Sequence, residues 1–245
     1  MALFSYSTKD EMADAICEIF RNHIAELNLL KKQINMAFSG GATPELFFDV
    51  LAANQKNPET TTDWSRIHIF WVDERCVPPS HQDSNYGMTR DHLLSALKLR
   101  KNQIHRIHGE DDPQKEAVRY ENEIRQVFQQ PSDIPVFDWI FLGMGEDGHT
   151  ASIFPDRLDL IKSPSLCAVA HHARSDQYRV TLTGPVIMHA RRISFLVTGA
   201  NKSLIIRQIM RNEPEAEGYP AFHIKPVNGD MDWYLDASAA NQLNL

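Results

Sequence analysis

Hydrophobic residues along this chain alternate between short solid runs and longer stretches that recur every three or four positions. The solid runs at 34–38, 67–72, 137–142, 166–170, 178–183 and 193–197 predict buried strands, because a strand covered on both faces needs no polar side. Helical spacing separates them. Thr8 and Glu11 stand three apart as in a capping box, and Ile16, Phe20, Ile24 and Leu27 come next, so a first helix is expected from Thr8. Pro44 preceded by Thr43 predicts a helix through Leu51 with Thr43 as its cap. Further helices are expected near 87–97, at 116–128 and at 201–210. The run at 231–235 reads as a late edge strand, and 212–229 as a loop with little regular structure. Alternating strands and helices imply an α/β fold, a mostly parallel sheet with helices on both faces. No repeat, low-complexity tract or linker interrupts the pattern. A single α/β domain over 1–245 is the expectation, with 155–180 as the candidate for a small irregular lobe.

The chemistry concentrates where strands end. Residues 137–155 read FDWIFLGMGEDGHTASIFP: an apolar run, then Gly143, Gly145 and Gly148 with Asp147 and His149. Open α/β sheets build their sites at the carboxyl ends of strands, which is where His149 falls. A histidine there can exchange a proton near neutral pH, and Asp147 is close enough to orient it. On its own the segment also reads as a turn with an incidental surface histidine. The three glycines spell G-x-G-x-x-G, but Pro155 comes soon after with no long helix between, and Glu146 and Asp147 would place two negative charges in the anion cradle. A dinucleotide reading is therefore disfavoured.

A second strand-to-helix junction, Ser39-Gly40-Gly41-Ala42-Thr43, offers free N–H groups and a helix dipole to an anion. It lacks the G-K-[ST] ending of a Walker A loop and suits a single phosphate, although a plain tight turn explains it equally well in isolation. Asp73-Glu74-Arg75 closes the strand at 67–72. These charges are either surface ion pairs or a site in which Arg75 meets an anion and Asp73 faces a sugar. Lys202 stands past another strand end, after Thr198-Gly199-Ala200-Asn201. Arg179 opens a strand rather than closing one, a weaker position for function.

Composition narrows the classes. The chain has 245 residues, 42% hydrophobic and 23% charged, with a net charge of −7. That balance is ordinary for a folded soluble protein and gives no support to a nucleic-acid partner. Cys17, Cys76 and Cys167 are odd in number and far apart, which fits reduced thiols rather than a disulfide framework. Cys76, beside Arg75, is more simply a quiet core thiol than an activated one. The N-terminal MALFSYSTKDEM turns polar too early for a signal peptide, and no apolar run is long enough to span a bilayer, so a cytoplasmic protein is expected. His171-His172 point to opposite faces of a strand, no acidic or cysteine set completes a metal site, and no G-x-S-x-G elbow is present.

The segments SGGATP, WVDERCVPPSHQDSNYGM, LGMGEDGHTASIFP, RVTLTGPV and TGANK, in that order over residues 39–202, resemble the successive motifs of the 6-phosphogluconolactonase family. The resemblance implies a modified Rossmann-like three-layer α/β/α sandwich, shared with glucosamine-6-phosphate deaminase, ribose-5-phosphate isomerase and coenzyme A transferases. It implies hydrolysis of 6-phospho-D-glucono-1,5-lactone in the oxidative pentose phosphate pathway. On matching positions, His149 would activate water with Asp147 beside it. Gly40, Gly41 and Thr43 would hold the phosphate with Arg75, Arg179 and Lys202, and Asp73 would lie near the ring. No metal or cofactor is implied, and the partner is a small sugar phosphate, bound by a monomer or homodimer. The related deaminases usually continue the D-G-H segment as A-F-N-E-P. Here Ala151 is followed by Ser152-Ile153-Phe154-Pro155, so that glutamate is missing. A non-catalytic sugar-phosphate sensor is a third reading.

Overall fold

The structure is a computed structural model that describes residues 1–129 and 133–243. Its strands are β1 (Ala2–Tyr6), β2 (Ile34–Phe38), β3 (Ile67–Trp71), β4 (Asp73–Arg75), β5 (Ile104–His105), β6 (Trp139–Leu142), β7 (Cys167–His172), β8 (Gln177–Leu182), β9 (Arg192–Val197) and β10 (Asp230–Asp236). Its α-helices are α1 (Lys9–Leu30), α2 (Ala42–Asn54), α3 (Asn85–His92), α4 (Pro113–Phe128), α5 (Gly184–Met188), α6 (Ser203–Met210), α7 (Pro220–His223) and α8 (Ala237–Ala240).

Seven strands form one sheet in the order β1-β10-β9-β6-β2-β3-β5, and every pairing in it is parallel. Helices cover both faces, as the solid hydrophobic runs require. On one side Phe20 of α1 and Phe47 of α2 pack on Trp139 and Phe141 of β6, with ring centroids 4.6–6.1 Å apart in the cluster. On the other, Phe70 of β3 meets Tyr120 and Phe128 of α4. Phe20 is fully buried, and removing such a ring costs about 3–5 kcal/mol. Thr8 caps α1 as expected, its hydroxyl accepting from the Glu11 N–H at 3.1 Å.

Three expectations need correction. The run at 231–235 is not an edge: β10 lies inside the sheet, because β1, whose partly polar stretch gave no strand signal, adds outside it. Residues 155–180 are regular rather than irregular, holding a 3₁₀ run at Pro155–Lys162, β7 and much of β8. With β4 these strands form a second, antiparallel sheet in the order β4-β8-β7. Helix α2 starts earlier than Thr43: its cap is Gly41 at φ +110°. Glycine takes that conformation freely, so the turn is complete two residues before Pro44.

The topology fixes where a ligand can sit. From β2 the chain proceeds to β3 on one side, and from β6 it proceeds to β9 on the other, although β2 and β6 are neighbours. The chain therefore parts between their carboxyl ends, leaving a crevice of the kind that open α/β sheets use for binding.

Candidate active site

A cavity of about 170 Å³ opens at that crevice, walled by the loop after β2, the loop after β6, β4, Asn85, Arg179 and Lys202. Every candidate residue except Asp147 lines it. Asp147 stands behind His149, as its partner rather than as part of the wall.

The loop after β2 faces the cavity with Gly40, Gly41 and Thr43. The first N–H groups of α2 have no intrahelical acceptor, as at any helix start, and no side chain caps them. Thr43 does not cap the helix. Its Oγ1 is 2.8 Å from Thr198 Oγ1 at the end of β9, which joins this loop to the one carrying Lys202.

Arg179 opens a strand rather than closing one, yet the antiparallel sheet brings it to the cavity wall. β4 pairs with β8 so that Arg75 lies directly across from Arg179. Like charges opposite each other are unfavourable, and an anion between them relieves the repulsion. Arg75 NH1 donates to the Asp83 carbonyl at 2.7 Å, yet the Nε atoms of Arg75 and Arg179 are buried without a hydrogen-bond partner among the described residues. Burial lowers the pKa of Arg179, with Asp73, 3.9 Å away, pulling in the other direction. Burial also lowers Lys202, partly offset by Glu146 and Asp236, and no hydrogen bond or ion pair among the described residues holds its ammonium. Three cations with unused donors around one cavity suit an anion in both charge and geometry.

The loop after β6 supplies a different kind of group. Asp147 Oδ1 lies 2.5 Å from His149 Nδ1 and also accepts the His149 backbone N–H at 3.1 Å. Burial alone would raise the Asp147 carboxyl, but the hydrogen bond and charge of His149 outweigh it and hold it at about 2. An ionised carboxylate only accepts, so Nδ1 carries a proton, and in the neutral imidazole the lone pair then falls on Nε2. Gly145 makes room for this pair: a β-carbon there would stand 2.1 Å from His149 Nδ1. No helix begins at these glycines. A tight loop closes instead, with Gly145 N–H donating to the His149 carbonyl at 2.9 Å, so the G-x-G-x-x-G spacing has no helix start to offer a pyrophosphate. Glu146 turns away to Asn201.

Asp73 is buried, with each oxygen accepting one hydrogen bond: Oδ2 from Ser152 Oγ at 2.6 Å and Oδ1 from Asn85 Nδ2 at 3.2 Å. Glu74 is not a surface ion. Its carboxylate takes the N–H groups of Arg75, Asn85 and Tyr86 at 2.7–2.8 Å and so holds the start of α3 against β4. Burial pushes its carboxyl up to about 7 against those donors. Burial first, and then Glu74 and Glu116, push the Cys76 thiol up to about 11. Sequence reasoning missed Asn85 and Ser152 as site residues. Both lie inside the quoted motifs, but nothing in their spacing says that they meet Asp73.

A parallel α/β sheet with a cationic, glycine-walled crevice and a carboxylate-held histidine defines a class of proteins that take a small anionic ligand beside a proton-transfer group. Residues 7–233 match the family model for glucosamine-6-phosphate isomerases/6-phosphogluconolactonase, and the chain belongs to that family. It is 38% identical over 244 residues to 6-phosphogluconolactonase of Haemophilus influenzae, covering 99% of this chain and 100% of that protein. The solved structure of 6-phosphogluconolactonase from Thermotoga maritima superposes with a TM-score of 0.82 at 27% identity, over 96% of this chain and 99% of that one. A monomeric glucosamine-6-phosphate deaminase reaches a TM-score of 0.80 at 20% identity, over 98% and 99%, a likeness of fold alone. No helix among the described residues is long and apolar enough to cross a membrane.

Proposed function

We propose that this protein hydrolyses 6-phospho-D-glucono-1,5-lactone to 6-phospho-D-gluconate in the oxidative pentose phosphate pathway, in the cytoplasm. The observation that carries the mechanism is the His149–Asp147 pair beside a cavity ringed by unused cationic donors. In this reading Gly40, Gly41, Thr43, Arg75, Arg179 and Lys202 anchor the phosphate, and the lactone carbonyl lies near His149 Nε2. Nε2 takes a proton from water as its oxygen attacks the carbonyl carbon. The tetrahedral intermediate then collapses, the bond to the ring oxygen breaks, and that oxygen receives the proton. Asp147 supports the imidazolium formed meanwhile. A lactone is already an activated ester, so a general base worth about 10²–10⁴-fold and an anchored phosphate that supplies orientation suffice.

The missing acid argues against the deaminase alternative. Opening an amino-sugar ring and moving a proton between carbons requires a base on the sugar and a second acid–base group at the ring oxygen. Asp73 can serve as the first, but Ser152-Ile153-Phe154 supplies no carboxylate for the second: the deaminases' glutamate falls at Phe154, and Ser152 is a hydrogen-bond donor to Asp73. The deciding experiment assays purified protein with fresh lactone, corrected for spontaneous hydrolysis, and separately with glucosamine 6-phosphate. Accelerated lactone loss without ammonia is expected. Ammonia release at a comparable rate would replace this reading with the deaminase one, and tight phosphosugar binding without turnover would indicate a sensor.

A further inference from the structure

One buried side chain bridges the two halves of the cleft. Asn85, the first residue of α3, is 2% exposed and lines the cavity. Its Nδ2 donates to the backbone carbonyl of Asp73 at 2.9 Å as well as to the Asp73 carboxylate. On the other side the same carboxamide lies against the loop after β2. A β-carbon on Gly40 would stand 1.7 Å from Asn85 Oδ1 and 2.3 Å from its Cγ. Gly41 differs: a β-carbon there meets nothing within 4 Å, and only its φ calls for glycine. Adjacent glycines thus have separate causes, one conformational and one spatial, and the space at Gly40 is taken by Asn85. The two bonds from Nδ2 hold the carboxamide itself, and the backbone that carries it is held as well: the Asn85 backbone N–H donates to Glu74 Oε1 at 2.7 Å, and its backbone carbonyl accepts from Thr89 Oγ1 at 2.8 Å.

We propose that Asn85 is a positioning residue: its carboxamide, wedged between Gly40 and Asp73, sets the spacing between the anion-binding loop and the Asp73 carboxylate. The kinetic consequence rests on the lactonase reading, whereas the effect on anion affinity does not. Without the wedge the loop can settle toward Asp73, and the carboxylate loses a donor. A bound phosphate then no longer presents the carbonyl to His149 at the right distance, so turnover suffers more than binding.

The test is a double-mutant cycle between Gly40→Ala and Asn85→Ala, read by lactone kinetics and by affinity for inorganic phosphate from thermal shift or calorimetry. Asn85→Ala should lower kcat by about ten- to a hundredfold, the worth of one hydrogen bond to a charged group, with a smaller change in KM. Gly40→Ala should sharply weaken phosphate binding in the wild-type background and much less beside Asn85→Ala, because the obstructing atoms are gone. Asn85→Asp keeps the shape but removes the donor. Its activity relative to wild type should recover as pH falls, since two carboxylates sharing a site raise one pKa and a protonated carboxyl can donate again. Near wild-type turnover in both Asn85 variants, or equal damage from Gly40→Ala with and without the asparagine, would overturn the proposal. Absence of lactone acceleration by the wild-type protein would remove the lactonase reading alone, and the phosphate-affinity cycle would still decide the role of Asn85.

Discussion

The loops after β2 and β6 begin alike and end differently. Each leaves a buried parallel strand through glycines, and the strands are neighbours. Behind the first stands α2, thirteen residues long, so its backbone N–H groups project into the cavity with the helix dipole behind them. Behind the second there is no helix. The chain folds back on itself, and its polar groups are spent internally, Asp147 on His149 and Thr150 Oγ1 on the Gly143 carbonyl at 2.9 Å. Glycine after a strand is therefore not by itself an anion site. A helix beyond the glycines leaves the first loop with free donors, and a closed turn leaves the second holding a carboxylate-bound histidine.

If that division is right, damage to the second loop should appear in kcat and damage to the cationic side in binding. The largest effect is expected from His149→Ala, a fall in kcat of at least about 10²-fold with little change in KM. Near-normal turnover in that variant would make the histidine structural and erase the distinction. Next, Arg179→Ala and Lys202→Ala should each weaken binding of phosphorylated ligands by about 1.5–3 kcal/mol, measured as the inhibition constant of inorganic phosphate or 6-phosphogluconate. Unphosphorylated gluconolactone should be a poor substrate, and equal rates on both lactones would remove the phosphate site.

Asp147 sharpens the contrast through pH. Its folded-state pKa is depressed to about 2, so its contribution to stability is fully present above the ordinary carboxylate range. That contribution is lost as pH falls from about 4 toward 2. Thermal melts across that window should show a steeper loss for the wild type than for Asp147→Asn, and parallel curves would mean that the His149 contact is not made in solution. The smallest effect, and a control outside both loops, is Thr8→Ala at the cap of α1. It should cost about 1 kcal/mol in denaturant unfolding and leave both kcat and phosphate affinity unchanged.

The alternation of buried strands and helices was legible along the chain, because burial on both faces of a parallel sheet leaves solid apolar runs and helical faces leave a different period. So were His149 and Asp147, two residues apart, and the glycine loop before Pro44, since local spacing suffices for contacts inside one turn. The place of β1 at the sheet edge was not, because that strand's pairing with β10 joins opposite ends of the chain. Nor could the sequence show that Arg179 faces Arg75: that pairing spans about a hundred residues and exists only because β4 leaves the main sheet to join β8. Asn85 and Ser152 acquire meaning only through Asp73, to whose two oxygens they each donate one hydrogen bond. Strand spacing and turn chemistry are local and can be read residue by residue. A site built where neighbouring strands part toward opposite sides of the sheet is a long-range arrangement, and packing alone selects which side chains converge there.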